Sequence, residues 1–114
     1  MAKVTVENKT LVYPMPAFVI GANVDGKPNF MTAAWSGIAG STPPMITVAL
    51  QHHRHTLKGM KQNMTFSVNV PSVDLVKETD YCGVVSGSKT DKAADCHFKV
   101  FYGKVTTAPM IEQF

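Results

Sequence analysis

Cysteine is scarce. Cys82 and Cys96 are the only two in 114 residues, and they form neither a CxxC pair nor a framework dense enough to staple a small domain. Reduced thiols, and with them a cytoplasmic setting, are the expectation. Dense cation runs are missing too. The net charge is +3, but Lys and Arg are scattered from Lys3 to Lys104 with little aromatic interleaving, which argues against a nucleic-acid surface and suits a small anionic ligand equally well. No apolar run could span a membrane, because Leu11 to Ala22 is broken by Pro14 and Pro16. Met1 to Lys9 lacks the basic-then-apolar layout of a signal peptide. Neither GxGxxG nor GxxxxGK[ST] occurs, so both common nucleotide fingerprints are excluded. With 45% hydrophobic and 17% charged residues, the chain reads as one globular domain over residues 1–114, able to bury its own core.

What is present in unusual amount is small residues in one place. After Asn29-Phe30-Met31-Thr32-Ala33-Ala34-Trp35 come Ser36, Gly37, Ala39 and Gly40, where a buried strand normally carries branched bulk. Either a flat ligand or a crossing backbone comes close to this stretch. Trp35, the single tryptophan, reads as a core or subunit-interface residue ahead of a stacking platform.

Taken in order, the alternation of Val4, Val6, Leu11 and Val12 predicts an edge strand. Ala17 to Val24 is a nearly continuous apolar run, a strand buried on both faces, which Asp25-Gly26-Lys27 turns back into an antiparallel partner running from Asn29 to Pro43-Pro44. Met45 to Leu50 predicts a third strand. Thr56 is placed as the N-cap of a helix carrying Leu57, Met60, Lys61 and Met64, with Gly59 as its weak point. Thr65 to Val70 alternates as a half-buried strand, Ser72 caps a helix over Val73 to Tyr81, Gly83 to Ala94 reads as a loop, and Phe98 to Val105 is a further strand. Many short strands with two short helices predict a mainly β, antiparallel barrel or sandwich.

Arg54 is the first candidate for holding a phosphate, since it follows a strand end and precedes a helix N-terminus, with Thr56 adding a hydroxyl. The plainer alternatives are a surface cation and a simple cap. Ser86-Gly87-Ser88-Lys89 offers hydroxyls, a flexible backbone and a cation around phosphate oxygens, or is a linker. His52, His53 and His55, with His97, Cys82 and Cys96, raise a metal site. Adjacent histidines on an extended segment point to opposite faces, however, and no second pair has zinc spacing, so no metal is expected. Cys82 reads as a buried thiol in preference to a nucleophile.

Several short motifs share an order and spacing from about residue 14 to the end: Pro14-Met15-Pro16, Gly21-Ala22-Asn23, Asp25-Gly26-Lys27-Pro28-Asn29, Thr32-Ala33-Ala34-Trp35, Pro43-Pro44, Arg54-His55-Thr56, Phe66 to Pro71, Asp80-Tyr81-Cys82-Gly83, Ser86-Gly87, Asp91-Lys92 and Ala108-Pro109-Met110-Ile111-Glu112. In these the chain resembles the flavin reductase-like family of FMN-binding split barrels, and within it the flavoredoxin branch. The resemblance implies an antiparallel FMN-binding split β-barrel that forms a homodimer. It implies that Asn29, Phe30, Met31, Thr32, Ala33, Ala34 and Trp35 run beside the isoalloxazine ring and that Leu50 and Gln51 continue the wall. Arg54 and Thr56 would hold the phosphate, Ser86, Lys89 and Lys92 would close around the phosphate or ribityl end, and Asn69 to Pro71 would line the ribityl side. The flavin performs the redox step, so no side chain is expected to act as acid or base. Electrons would come from NAD(P)H or a redox protein and pass to flavin, ferric iron or a protein acceptor. Family members usually continue beyond Ala108 to Glu112 with further strands, whereas this chain ends at Phe114. A non-enzymatic flavin or small-anion binding module is the alternative.

Overall fold

The computed structural model describes residues 1–114. The expected apolar run forms β1 (Phe18–Val24), and Asp25 and Gly26, at φ of 51° and 80°, turn the chain into β2 (Lys27–Ala33). The pair is antiparallel along its whole length, with Phe18 opposite Ala33 and Val24 opposite Lys27. A second hairpin follows, β3 (Ser36–Ser41) with β4 (Pro44–Val48). After α1 (His55–Asn63), β5 (Ser67–Asn69) pairs with the other edge of β1, so that β1 is the middle strand of a sheet ordered β2-β1-β5. A 3₁₀ turn over Val73–Leu75 leads into α2 (Val76–Val84), a single turn α3 (Lys92–Asp95), and a last ribbon of β6 (Val100–Tyr102) with β7 (Pro109–Ile111). The antiparallel, mainly β class is as expected from the sequence.

Both faces of β1 are buried, which explains its unbroken apolar run. On one face Val19 joins Phe30, Cys82, Ala93, Phe98 and Ile111, with Phe30 and Phe98 edge-on at 5.8 Å under α2 and α3. On the other, Ile20, Met31 and Ala33 pack with Met60 of α1, Leu50 and Phe66. Ile20 and Phe30, both fully buried, each contribute about 2 kcal/mol by leaving water.

α1 lies so close to β1 that a Cβ on Gly59 would sit 2.3 Å from the Asn23 carbonyl oxygen. The residue that weakens the helix as a sequence is what lets it dock. Lys58 and Gln62 hold the Asp25 carboxylate at 2.6 and 2.7 Å, and Asn63 Nδ2 donates to the Asn23 carbonyl at 2.9 Å. At the opposite edge, buried Ser67 and Asn69 of β5 bind β7: Ser67 Oγ donates to the Pro109 carbonyl, and Asn69 Oδ1 accepts from Ile111 N–H at 3.0 Å.

Several expectations are corrected. Residues before Phe18 form no strand, because Val4 and Val6 are 85% and 63% exposed and find no partner. The strand expected from Asn29 to Pro44 is two, broken at Ala34-Trp35, and Thr42-Pro43 is the turn of a hairpin. The first helix starts at His55, so Thr56 lies inside it and Arg54 holds the N-cap position. The Ser72 side chain caps nothing, α2 runs on to Val84 into the expected loop, and α3 adds a third helical piece. β7 was not anticipated. No helix is long and apolar enough to cross a membrane.

Candidate functional site

A groove follows β2 toward the amino end of α1. Its wide part, about 280 Å³, is lined by Met31, Thr32, Ala33, Ala34, Trp35, Ala49, Leu50, Gln51 and Arg54, six of which are apolar. It continues into a narrow polar pocket of about 100 Å³ whose walls include Arg54, His55, Thr56, Ser86, Gly87 and Lys92. Met31 and Arg54 belong to both, so the two form one elongated site.

Its narrow end is built for an anion. The chain's two ion pairs are Lys9–Glu7 and Lys58–Asp25, which leaves the half-buried Arg54 guanidinium without an internal counter-charge. No side chain caps α1 and no acidic residue stands in its first turn, so its N-terminal amides and dipole are open to a negative ligand. Thr56, fully buried, accepts a hydrogen bond from Asn29 Nδ2 at 2.6 Å, and its own proton is left to donate. The Ser86-Gly87 loop closes over this clamp so tightly that a Cβ on Gly87 would fall 1.9 Å from Asn29 Oδ1.

Lys92 lies behind the pocket, 4% exposed, with its ammonium donating to the Phe30 carbonyl at 2.8 Å and the Cys82 carbonyl at 2.9 Å. Burial, and after it the neighbouring Arg54, holds this ammonium below the usual lysine range. Lys92 thus ties α3 to β2 and α2 and lends its charge to the pocket wall.

Burial also pushes the adjacent Cys82 thiol up to about 12. An unfolded thiol ionises near 8.5, so between there and about 12 the unfolded chain releases a proton that the folded chain keeps. Folding stability therefore falls as pH rises through that window, while Lys92, with its lowered value, acts in the opposite sense. Comparing Cys82→Ala with the wild type isolates the thiol. Urea unfolding at roughly pH 8 and roughly pH 10.5 should show the wild type losing more stability than the variant, and equal losses would show that the folded state does not hold this proton.

The other expected residues divide. Met31 to Trp35, Leu50, Gln51, Arg54, Thr56, Ser86 and Lys92 come together along the groove. The Phe30 ring is in the core, and Asn29 acts on Thr56 instead of facing the wide part. Lys89 lines a neighbouring cleft. Asn69 is spent on β1 and β7, and Pro71 lies elsewhere. Gly87, expected as part of a flexible phosphate loop, does line the pocket, and His55, weighed as a metal ligand and not as a site residue, lines it as well. No group of three His, Cys, Asp or Glu side chains is arranged to hold a metal ion. The largest cavity, about 620 Å³ beside α2, has Asp80 as its only charged wall residue, and the Thr32 hydroxyl there already donates to the Thr79 carbonyl. It does not suit an anion.

Residues 10–113 match the flavin reductase like domain family. The flavoredoxin of Methanosarcina acetivorans is 44% identical with a TM-score of 0.93 over 99% of this chain and 60% of that one. The FMN-binding domain of a flavin reductases-like enzyme from Shewanella baltica is 26% identical, with a TM-score of 0.79 over 85% of this chain and 51% of that one. An uncharacterized protein of Archaeoglobus fulgidus is 31% identical over 102 residues, which are 90% of this chain and 57% of that protein. The chain thus spans less than two thirds of the length of each.

Proposed function

This chain is a member of the flavin reductase-like domain family, whose fold is the split barrel, and on that premise we propose that it binds FMN in the groove along β2 and passes electrons through it. The observation that carries the reading is the continuity of an apolar cleft with a cationic pocket at Arg54. FMN has the same division, a flat ring system joined through a ribityl chain to a phosphate. When bound, it supplies the redox chemistry. The chain's own residues do the positioning: Met31 to Trp35 let the ring come close, Leu50 and Gln51 wall it, and Arg54, Thr56 and the amides opening α1 hold the phosphate. Ser86 and Gly87 cover that end, with Lys92 as charge behind it.

NAD(P)H or a redox protein donates the electrons in this reading, and flavin, ferric iron or a protein accepts them. Two free thiols suit a reducing, cytoplasmic setting. Anaerobic titration of the FMN-loaded chain with NADH and NADPH tests turnover. Bleaching of the flavin absorption is expected, and an unbleached spectrum with both donors, and with dithionite-reduced carrier protein, would leave a binding module only.

We also propose a homodimer formed through β3 and β4. β3 and β4 pack mainly on each other and expose Ile38 and Met45, at 84% and 50%, with Trp35, just before β3, at 41%. A two-stranded hairpin with its apolar side chains in water is marginal without something to cover it. Sedimentation at micromolar concentration should give twice the chain mass; a monomer there would count against the interface.

A further inference from the structure

The groove uses neither of the chain's two cysteines, and both are free. Cys82 lies within α2, Cys96 directly follows α3, and two ties hold these segments against each other. Tyr81, next to Cys82, donates its hydroxyl at 2.5 Å to the carboxylate of Asp95, next to Cys96. Lys92, which opens α3, donates to the Cys82 carbonyl at 2.9 Å. Cys96 packs against the buried cluster that holds Cys82, and the two thiols are close enough for each to act on the other's ionisation. Their access to water differs. Cys82 is 1% exposed, whereas Cys96 is half-buried and lines a surface cleft of about 420 Å³ with Lys77, Glu78, Tyr81, Asp95 and His97. A small solute therefore reaches Cys96 directly and Cys82 only through it. The pair belongs to no group of three side chains that could hold a metal ion. Burial raises both thiols above their usual range, which makes the protonated, reduced pair the resting form.

We propose that Cys82 and Cys96 are a reversible oxidation site, a dithiol that closes to an intrachain disulfide by exchange with a small-molecule disulfide entering the cleft at Cys96. The Cys96 thiol loses its proton to water and attacks one sulfur of the incoming disulfide. A mixed disulfide forms, the incoming S–S bond breaks, and one small thiol leaves with a proton taken from water. Cys82 then gives up its proton and attacks the Cys96 sulfur, which forms the Cys82–Cys96 bond and releases the second small thiol. The two protein thiols lose two electrons and two protons, and the small disulfide gains both. The bridge joins α2 to the end of α3 and so fixes Lys92 in the rear wall of the narrow pocket. Closing this short loop should raise the melting temperature by about 5–10 °C. The site does not depend on what the groove binds.

The experiment incubates the reduced chain with excess glutathione disulfide at roughly pH 8, where an ordinary thiol is partly ionised, and quenches with acid. Intact mass and peptide mapping without reduction are read for the wild type, Cys82→Ser and Cys96→Ser. The wild type should end with a Cys82–Cys96 bridge inside one chain, no retained glutathione, the higher melting temperature, and full reversal by dithiothreitol. Cys82→Ser should stop at the mixed disulfide on Cys96, formed at least about tenfold faster than Cys96→Ser acquires one on Cys82. A wild type that keeps both thiols, retains glutathione as its end product, or links two chains overturns the proposal. Equal rates in the two single variants would overturn Cys96 as the point of entry. Should a variant fail to fold, the wild-type product alone decides whether the bridge forms.

Discussion

Gly59→Ala should lower the free energy of unfolding by about 3 kcal/mol, although alanine is the better helix former by about 1 kcal/mol. The added Cβ would stand 2.3 Å from the Asn23 carbonyl oxygen, 2.8 Å from its carbon and 2.9 Å from Val24 Cγ2. Asn23 and Val24 belong to the middle strand of the sheet, paired with β2 across Pro28 and Lys27, so the strand cannot retreat. α1 must move instead. Moving it strains every tie it makes to the β1–β2 turn, from Lys58 and Gln62 on Asp25 to Asn63 on the Asn23 carbonyl, and opens the packing of Met60 against the Ile20 cluster. A domain of this size is stable by only about 5–15 kcal/mol, so the loss is a large share of the whole. Gly37→Ala is the control, because a Cβ there meets nothing within 4 Å. Equilibrium urea unfolding of both variants decides it: a Gly59→Ala chain as stable as the wild type would mean that α1 does not dock this closely.

Arg54→Ala should weaken FMN binding by about 2 kcal/mol, roughly thirtyfold, through loss of charge-assisted hydrogen bonds to the phosphate. Arg54 precedes α1 and contributes to the fold through its backbone, with no ion pair on its guanidinium. The substitution should therefore leave the melting temperature nearly unchanged, which separates a binding effect from a folding one. Arg54→Lys keeps the charge but loses the planar fork, and its affinity should fall between the two. The loss should stop short of abolishing binding, since Thr56, the α1 amides and the Lys92 charge remain. FMN affinity unchanged in Arg54→Ala would remove the residue from the site and with it the assignment of the narrow pocket to the phosphate.

How far the molecule could be read from its sequence depended on whether the deciding contact was local. The β1–β2 hairpin was legible because an unbroken apolar run, a two-residue Asp25-Gly26 turn and a returning strand are neighbours in the chain. The small residues from Thr32 to Ala34 and the strand-to-helix position of Arg54 were legible for the same reason, and they mark the two ends of the groove. Thr56 was legible as a hydroxyl beside the phosphate position, but neither its place inside the helix nor its partner was. As a hydroxyl before an apolar-periodic segment it resembles a cap, and its actual partner, Asn29, lies 27 residues away. Lys92 sits in a stretch that reads as a loop, and only the resemblance placed it at the phosphate end; that two carbonyls from β2 and α2 converge on it in the core has no local signal. β7 is three residues beginning with proline, held by buried side chains of β5 that are 42 residues distant, and no alternation betrays it. Val4 and Val6 have the alternation but no partner strand, so pattern alone overstated the amino-terminal segment.

The groove stands or falls as a flavin site on whether the chain keeps the cofactor. The direct measurement is the visible absorption of the purified protein after incubation with excess FMN and gel filtration. The expected result is a flavin spectrum eluting with the protein near one equivalent per chain, with its fluorescence altered from that of free FMN by the enclosing groove. Colourless protein, with all of the FMN in the small-molecule fraction, would contradict it: the chain would then have the family's fold without a cofactor site along β2.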